Sequence, residues 1–130
     1  MDSYQLNLML PRGMLYLYDW RNDHVEIPEY DDSRAVSATP TALSIALTSD
    51  EEGDVSVKIS QLDNELEYSS RFGTFRLSCP NKMLSLCVMS DDEVHRISLN
   101  HHEMEVSISG KSEKFPSEIF ISSRSFNGAI

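Results

Sequence analysis

The sequence predicts one all-β domain, a single-domain antiparallel β-sandwich or partly closed barrel, on three observations. Apolar and polar residues alternate with period two along most of the chain, as on strands with one buried face. The alternating runs recur at roughly ten-residue intervals with turn residues between them, the spacing of sandwiches and barrels. No stretch has a convincing helical period. Residues 61–70 could form a short helix, but Leu62 and Leu66 alone make a thin apolar stripe.

The elements follow in order. Leu6, Leu8 and Leu10 alternate with Gln5, Asn7 and Met9 until Pro11-Arg12-Gly13 turns the chain. Residues 14–20 are apolar or aromatic on both faces, Leu15 and Leu17 on one and Met14, Tyr16, Tyr18 and Trp20 on the other. That pattern fits a central strand covered on both sides. The irregular stretch 21–41 is long for this fold class, and loops beyond about 12–15 residues are usually functional or disordered. Pro28, Pro40 and the small residues Ala35, Ser37 and Ala38 leave room in it for one short edge strand.

Leu43, Ile45 and Leu47 then alternate with Ser44, Ala46 and Thr48, and an acidic turn, 50–54, leads into Val55, Val57 and Ile59. Residues 75–79 and 84–89 read as a hairpin turning at Asn81-Lys82. Residues 94–99 follow, then Met104, Val106 and Ile108 alternating with Glu103, Glu105 and Ser107 as far as Gly110. Residues 118–122 are the last expected strand, and 123–130 have no period and are expected to fray. Ile45, Val57, Leu77, Leu86, Val106 and Ile108 are the expected inward set.

At 130 residues the chain fits one domain across 1–130. A domain of about 150 residues buries roughly 68–70% of its unfolded surface, so no disulfide staple is required. In the expected hairpin Cys79 falls opposite Leu84 and Cys87 opposite Arg76, which argues against a bridge. Both read as buried thiols in a reducing compartment. The first residues lack the positive region and apolar run of a secretory signal, and no apolar run approaches the ~18–20 residues of a membrane helix. A cytoplasmic location is expected.

Eleven Lys and Arg against twenty-one Asp and Glu give a formal charge of -10. This charge opposes contact with nucleic-acid phosphates and anionic lipid, and it attracts cationic partners. The expected partner is a basic protein, with neither direct nucleic-acid binding nor a membrane. The oligomeric state is not readable.

No arrangement meets the needs of catalysis. Carboxylate pairs are abundant, but none has an apolar surround that would raise one pKa and leave its partner ionised. No Gly-x-Ser-x-Gly elbow, phosphate-cradling glycine loop or His-Glu-x-x-His is present. His101 and His102 read as exposed turn histidines rather than a metal pair, and His24 as a surface histidine. The turns 50–54 and 91–93 read as solvated, since the first lacks the ligand order of a calcium loop. No catalytic residue, metal or cofactor is expected.

The candidate binding surface is the stretch 19–32. Asp19, Asp23, Glu26, Glu29, Asp31 and Asp32 stand against one base, Arg21, a net -5, beside Trp20 and Tyr30. It reads either as a solvated loop with Trp20 tucked into the core, or as a carboxylate rim around an aromatic anchor. The second reading makes the protein an inhibitor or immunity protein that neutralises a basic nuclease or toxin. The alternative is a non-inhibitory assembly module that offers an exposed β edge.

Several segments together resemble the competence protein J family, small acidic inhibitors of a bacterial nuclease of DNA uptake. They are Asp19-Trp20 followed by acids, Arg34-Ala35-Val36-Ser37-Ala38, Ala42-Leu43-Ser44-Ile45-Ala46-Leu47 and Val55-Ser56-Val57-Lys58-Ile59-Ser60. Late in the chain Ile97-Ser98-Leu99 and Glu105-Val106-Ser107-Ile108 fall where that family has two closing strands. The likeness ends after Gly110. It implies an all-β fold, no catalysis and binding to a nuclease, and among site residues it matches Asp19 and Trp20.

Overall fold

The alternating runs become paired strands in the computed structural model, which describes residues 4–29, 31, 33–61, 70–89, 92–111 and 115–129. Among them are β1 (Tyr4–Leu8), β2 (Met14–Asp19), β3 (Val36–Ala38), β4 (Ala42–Ala46), β5 (Val55–Ser60) and β6 (Ser70–Ser78). They continue with β7 (Met83–Cys87), β8 (Glu93–Leu99), β9 (Glu103–Gly110), β10 (Glu118–Ser122) and β11 (Phe126–Ala129). The helical content of the described residues is one 3-10 turn, Pro11–Gly13. The short helix considered at 61–70 falls largely outside the described residues.

The strands form two sheets. One has the order β1-β5-β10-β9-β6, the other β11-β8-β7-β2-β4-β3. Every pairing is antiparallel except β5 with β10, which run parallel. The chain changes sheet at the turns β1–β2, β4–β5, β6–β7, β8–β9 and β10–β11. Strands that pair in space are therefore often distant in sequence.

The inner faces of the two sheets share one hydrophobic cluster. Leu15, Leu17, Ile45, Leu86 and Ile97 come from the six-stranded sheet, and Val57, Leu77, Val106, Ile108 and Ile119 from the other; all are 0% exposed. The six residues expected to face inward are among them. This is the sandwich that the alternation predicted, and β3 is the short edge strand expected inside 21–41.

Two expectations are corrected. Residues 75–79 and 84–89 do not form a hairpin: β6 pairs with β9 in one sheet, and β7 lies between β2 and β8 in the other. The turn at Pro80-Asn81-Lys82 carries the chain from one sheet to the other, with Lys82 at φ 54°. Both thiols are nevertheless free and buried. Residues 123–129 are not a frayed tail either. β11 pairs with β8, and Phe126 is 0% exposed because it plugs the core beside Leu99.

Candidate functional site

β2 is the central strand from which the site is built. Its alternation sends Leu15, Leu17 and Asp19 inward and leaves Met14, Tyr16 and Tyr18 half-buried on the outer face. That face is only partly covered, rather than enclosed as the sequence suggested. Register sets Tyr16 between Ser44 and Cys87, and Tyr18 between Ala42 and Ser85. Ser85 in turn stands opposite Arg96 of β8.

Asp19, the first of the expected site residues, is 0% exposed and cannot touch a partner. The Asn81 N–H lies 3.2 and 3.0 Å from its two carboxylate oxygens, and the Met83 backbone donates as well. Burial raises its pKa above the usual carboxylate value, and these backbone donors oppose the rise. Asp19 thus holds the turn before β7. Its place two residues beyond Leu17 on an inward face was the signal for this role.

Trp20 is half-buried rather than sunk in the core. Its N–H donates to the Met83 carbonyl at 2.7 Å, and the Asn81 side-chain amide donates to its carbonyl at 2.7 Å. The guanidinium carbons of Arg21 and Arg96 lie 4.3 and 4.2 Å from the centre of its ring, a cation–π geometry. Arg96 is fixed by Glu93, with Nη2 2.6 Å from Oε1, and Ser85 Oγ also donates to that carboxylate. The Arg96 hydrogen bond holds the Glu93 pKa below its ordinary range. Glu93 is therefore not the solvated turn residue expected, because it sits at the start of β8 facing two donors. Sequence reasoning missed Arg96; its outward register beside the inward Ile97 was the available signal.

The acidic loop is held at several points. The Asn22 side chain accepts from the His24 N–H at 2.9 Å. The Glu26 N–H donates to Thr41 Oγ1 at 2.8 Å, and Thr39 Oγ1 donates to the Glu26 carbonyl at 2.6 Å. At the far end Asp31 accepts from Ser33 Oγ at 2.6 Å and lies 3.4 Å from Arg34 Nε. The Ser33 hydrogen bonds lower its pKa. Asp23, Glu26 and Glu29 are exposed, as is His24. Tyr30 and Asp32 lie outside the described residues. The loop thus presents three exposed carboxylates, and the residue at its start, Trp20, has its ring stacked with cations.

His101 and His102 are exposed in the β8–β9 turn. Among the described residues no three His, Cys, Asp or Glu side chains group as metal ligands. Burial pushes the Cys79 thiol up to about 12, out of the nucleophile range. No helix of the described residues is long and apolar enough to cross a membrane.

No family model and no curated protein sequence matches the chain. Two solved structures do match. The crystal structure of ComJ from Bacillus subtilis, an inhibitor of the DNA degrading activity of NucA, aligns over 95% of this chain and 97% of its own with a TM-score of 0.65 at 9% identity. The product of crocagin biosynthetic gene J aligns over 94% of this chain and 98% of its own with a TM-score of 0.54 at 8% identity. The chain is thus similar in fold, over nearly its whole length, to the inhibitor whose family its sequence pattern resembles.

Proposed function

We propose that this protein is an inhibitor or immunity protein that binds a basic nuclease or toxin through the acidic loop on the outer face of the six-stranded sheet. The observation that carries the reading is the fixed presentation of Asp23, Glu26 and Glu29. Thr39 and Thr41 grip the loop at Glu26, and the turn at Asn81 and Met83 grips it at Trp20. A loop ordered before contact forfeits less entropy on binding. Its exposed carboxylates attract a cationic surface at long range, while Trp20, of a residue type common at interface centres, is held in place by Arg21 and Arg96. Asp19 supports the loop from within, and Tyr30, Asp31 and Asp32 are proposed as further contact residues from their place in the sequence. The fold shared with ComJ supports the inhibitor class, and in this reading the chain performs no catalysis and acts in the cytoplasm.

The second reading, an assembly module acting through a sheet edge, would use β6. This strand has nine residues and no described strand on its outer side. The register shift between Arg71 and Gly73 and the exposed Arg76–Glu105 pair blunt that edge. Degradation of plasmid DNA separates the readings, using the nuclease of an adjacent gene, with NucA as a surrogate. Dose-dependent protection that saturates at a fixed stoichiometry supports inhibition. Undiminished degradation with either nuclease, and no complex by light scattering, would remove the inhibitor reading.

A further inference from the structure

Among the described strands the two sheets end in four edges, β1 and β6 in one sheet and β11 and β3 in the other. An edge strand offers unpaired N–H and C=O groups to any other strand, so native proteins blunt their edges with short length, charge or bulges. Three of these edges are blunted. β3 has three residues. β6 is broken by the register shift between Arg71 and Gly73 and carries the exposed Arg76–Glu105 pair. β11 is broken by the shift between Phe126 and Gly128.

β1 has none of these devices. It pairs with β5 in unbroken register, from Tyr4 opposite Ile59 to Leu8 opposite Val55. Charged residues make up 25% of the chain, yet residues 3–11 carry none. In an antiparallel pair alternate residues turn their backbone groups away from the neighbour, and those of β1 meet no described strand on its free side. Apolar surface lies along the same edge: Leu6 and Leu8 pack on the core but are only half-buried, and Met9 is 56% exposed. On the opposite face Gln5 and Asn7 are exposed, and the Gln5 amide donates to Asn7 Oδ1 at 3.2 Å.

The order of residues selects the occupant. Tyr4-Gln5-Leu6-Asn7-Leu8 runs apolar, amide, apolar, amide, apolar, a pattern symmetric about Leu6. We propose that β1 pairs antiparallel with β1 of a second copy of this chain across a two-fold axis at Leu6, joining their five-stranded sheets into one. Leu6 then lies opposite Leu6, Tyr4 opposite Leu8, and Gln5 opposite Asn7, so apolar meets apolar and amide meets amide at every step. A slip of one residue sets leucine against amide and sends one copy's apolar side outward, which holds the register. The charge of -10 on each copy opposes the contact at long range, but β1 brings no charge to the seam, and salt screens the rest beyond about 8 Å at physiological strength. Self-pairing therefore tightens as salt rises, the reverse of nuclease capture by the acidic loop, and it does not depend on that reading.

The test is sedimentation equilibrium of the full chain at low and high salt. Between about 1 µM and about 1 mM, the range of weak specific contacts, the mass should rise from 14.8 kDa toward twice that value, and further at high salt. Gln5→Lys with Asn7→Lys changes two exposed side chains and sets lysine against lysine across the seam. This variant should melt with the parent at low concentration and dimerise at least about tenfold more weakly, although it reduces the net charge. Gln5→Glu with Asn7→Glu should fail in the same way, and an equimolar mixture of the two variants should recover the dimer. That rescue requires residue 5 of one copy beside residue 7 of the other. A monomer at every concentration and salt, a dimer that survives the lysine pair or weakens as salt rises, or variants that stay monomeric when mixed would each overturn the proposal.

Discussion

Replacing Asp19 with alanine should destabilise the protein by about 2 kcal/mol, a figure that follows from what the carboxylate holds. The Asn81 N–H lies 3.2 and 3.0 Å from its oxygens, and the Met83 backbone is a second donor. Truncation orphans both. Each loss costs about 1–3 kcal/mol where water cannot reach the donor, and less at the exposed Asn81. Alanine also removes a carboxylate whose burial is itself unfavourable, which recovers part of the loss. The net effect corresponds to a Tm lower by about 5–10 °C for a domain of this size. Asp19→Asn keeps one acceptor and should lose less.

The pH profile checks the same residue independently. The folded pKa of Asp19 lies above its unfolded value of 3.8, so the fold binds this proton more tightly than the unfolded chain does. Its favourable contribution is therefore full below 3.8 and declines as pH rises through the folded value. That declining component should vanish in Asp19→Asn. Urea unfolding followed by Trp20 fluorescence across the acid range reads both effects. An alanine variant that unfolds with the parent would refute the role given to Asp19 in holding the turn.

Three further outcomes follow from the same packing. Phe126→Ala should cost about 3–5 kcal/mol in chemical unfolding, whereas a dispensable tail would leave the midpoint unmoved. Glu93→Gln should unfold more easily than the parent near neutrality and converge with it in acid. The folded pKa of Glu93 is held below 4.5 by Arg96, so its contribution is present above 4.5 and lost as pH falls through the folded value; a gap that persists in strong acid would contradict this. Cys79, with its thiol pushed up to about 12 and 0% exposed, should resist iodoacetamide until the protein unfolds. Mass spectrometry showing fast native alkylation at Cys79 would overturn that assignment.

Period two made the faces legible but not the partners. Alternation tells which residues share a side, so Ile45, Val57, Leu77, Leu86, Val106 and Ile108 all fall in the core as read. It says nothing of which strand lies alongside, because any register of the same parity buries the same residues. The false hairpin arose there: Pro80-Asn81-Lys82 has turn chemistry whether the chain reverses within one sheet or crosses to the other. β11 was missed because Phe126 is its one large apolar residue, between Arg124-Ser125 and Asn127-Gly128, too little to show a period. At the site, the acidic loop and Trp20 were visible as composition. Arg96 on Trp20, and Ser44 facing Tyr16, depend on the pairings β7–β8 and β2–β4 and become visible only once those strands are aligned.

The central claim is that the loop carboxylates draw a basic partner onto this face, and its most direct measurement is an association rate. Asp23→Asn, Glu26→Gln and Glu29→Gln change exposed side chains that make no described ion pair and keep the backbone contacts of Glu26 with Thr39 and Thr41. The triple variant should therefore melt at or above the parent temperature, since it relieves like-charge repulsion. Stopped-flow mixing with the nuclease partner at about 50 and about 300 mM salt should show the parent slowing steeply as salt rises, by the screening of exposed charge. The triple variant should associate at least about tenfold more slowly at low salt, with a much flatter salt dependence. Equal rates for the two proteins at low salt, with the same slope against salt, would contradict the claim and move the binding surface off the loop.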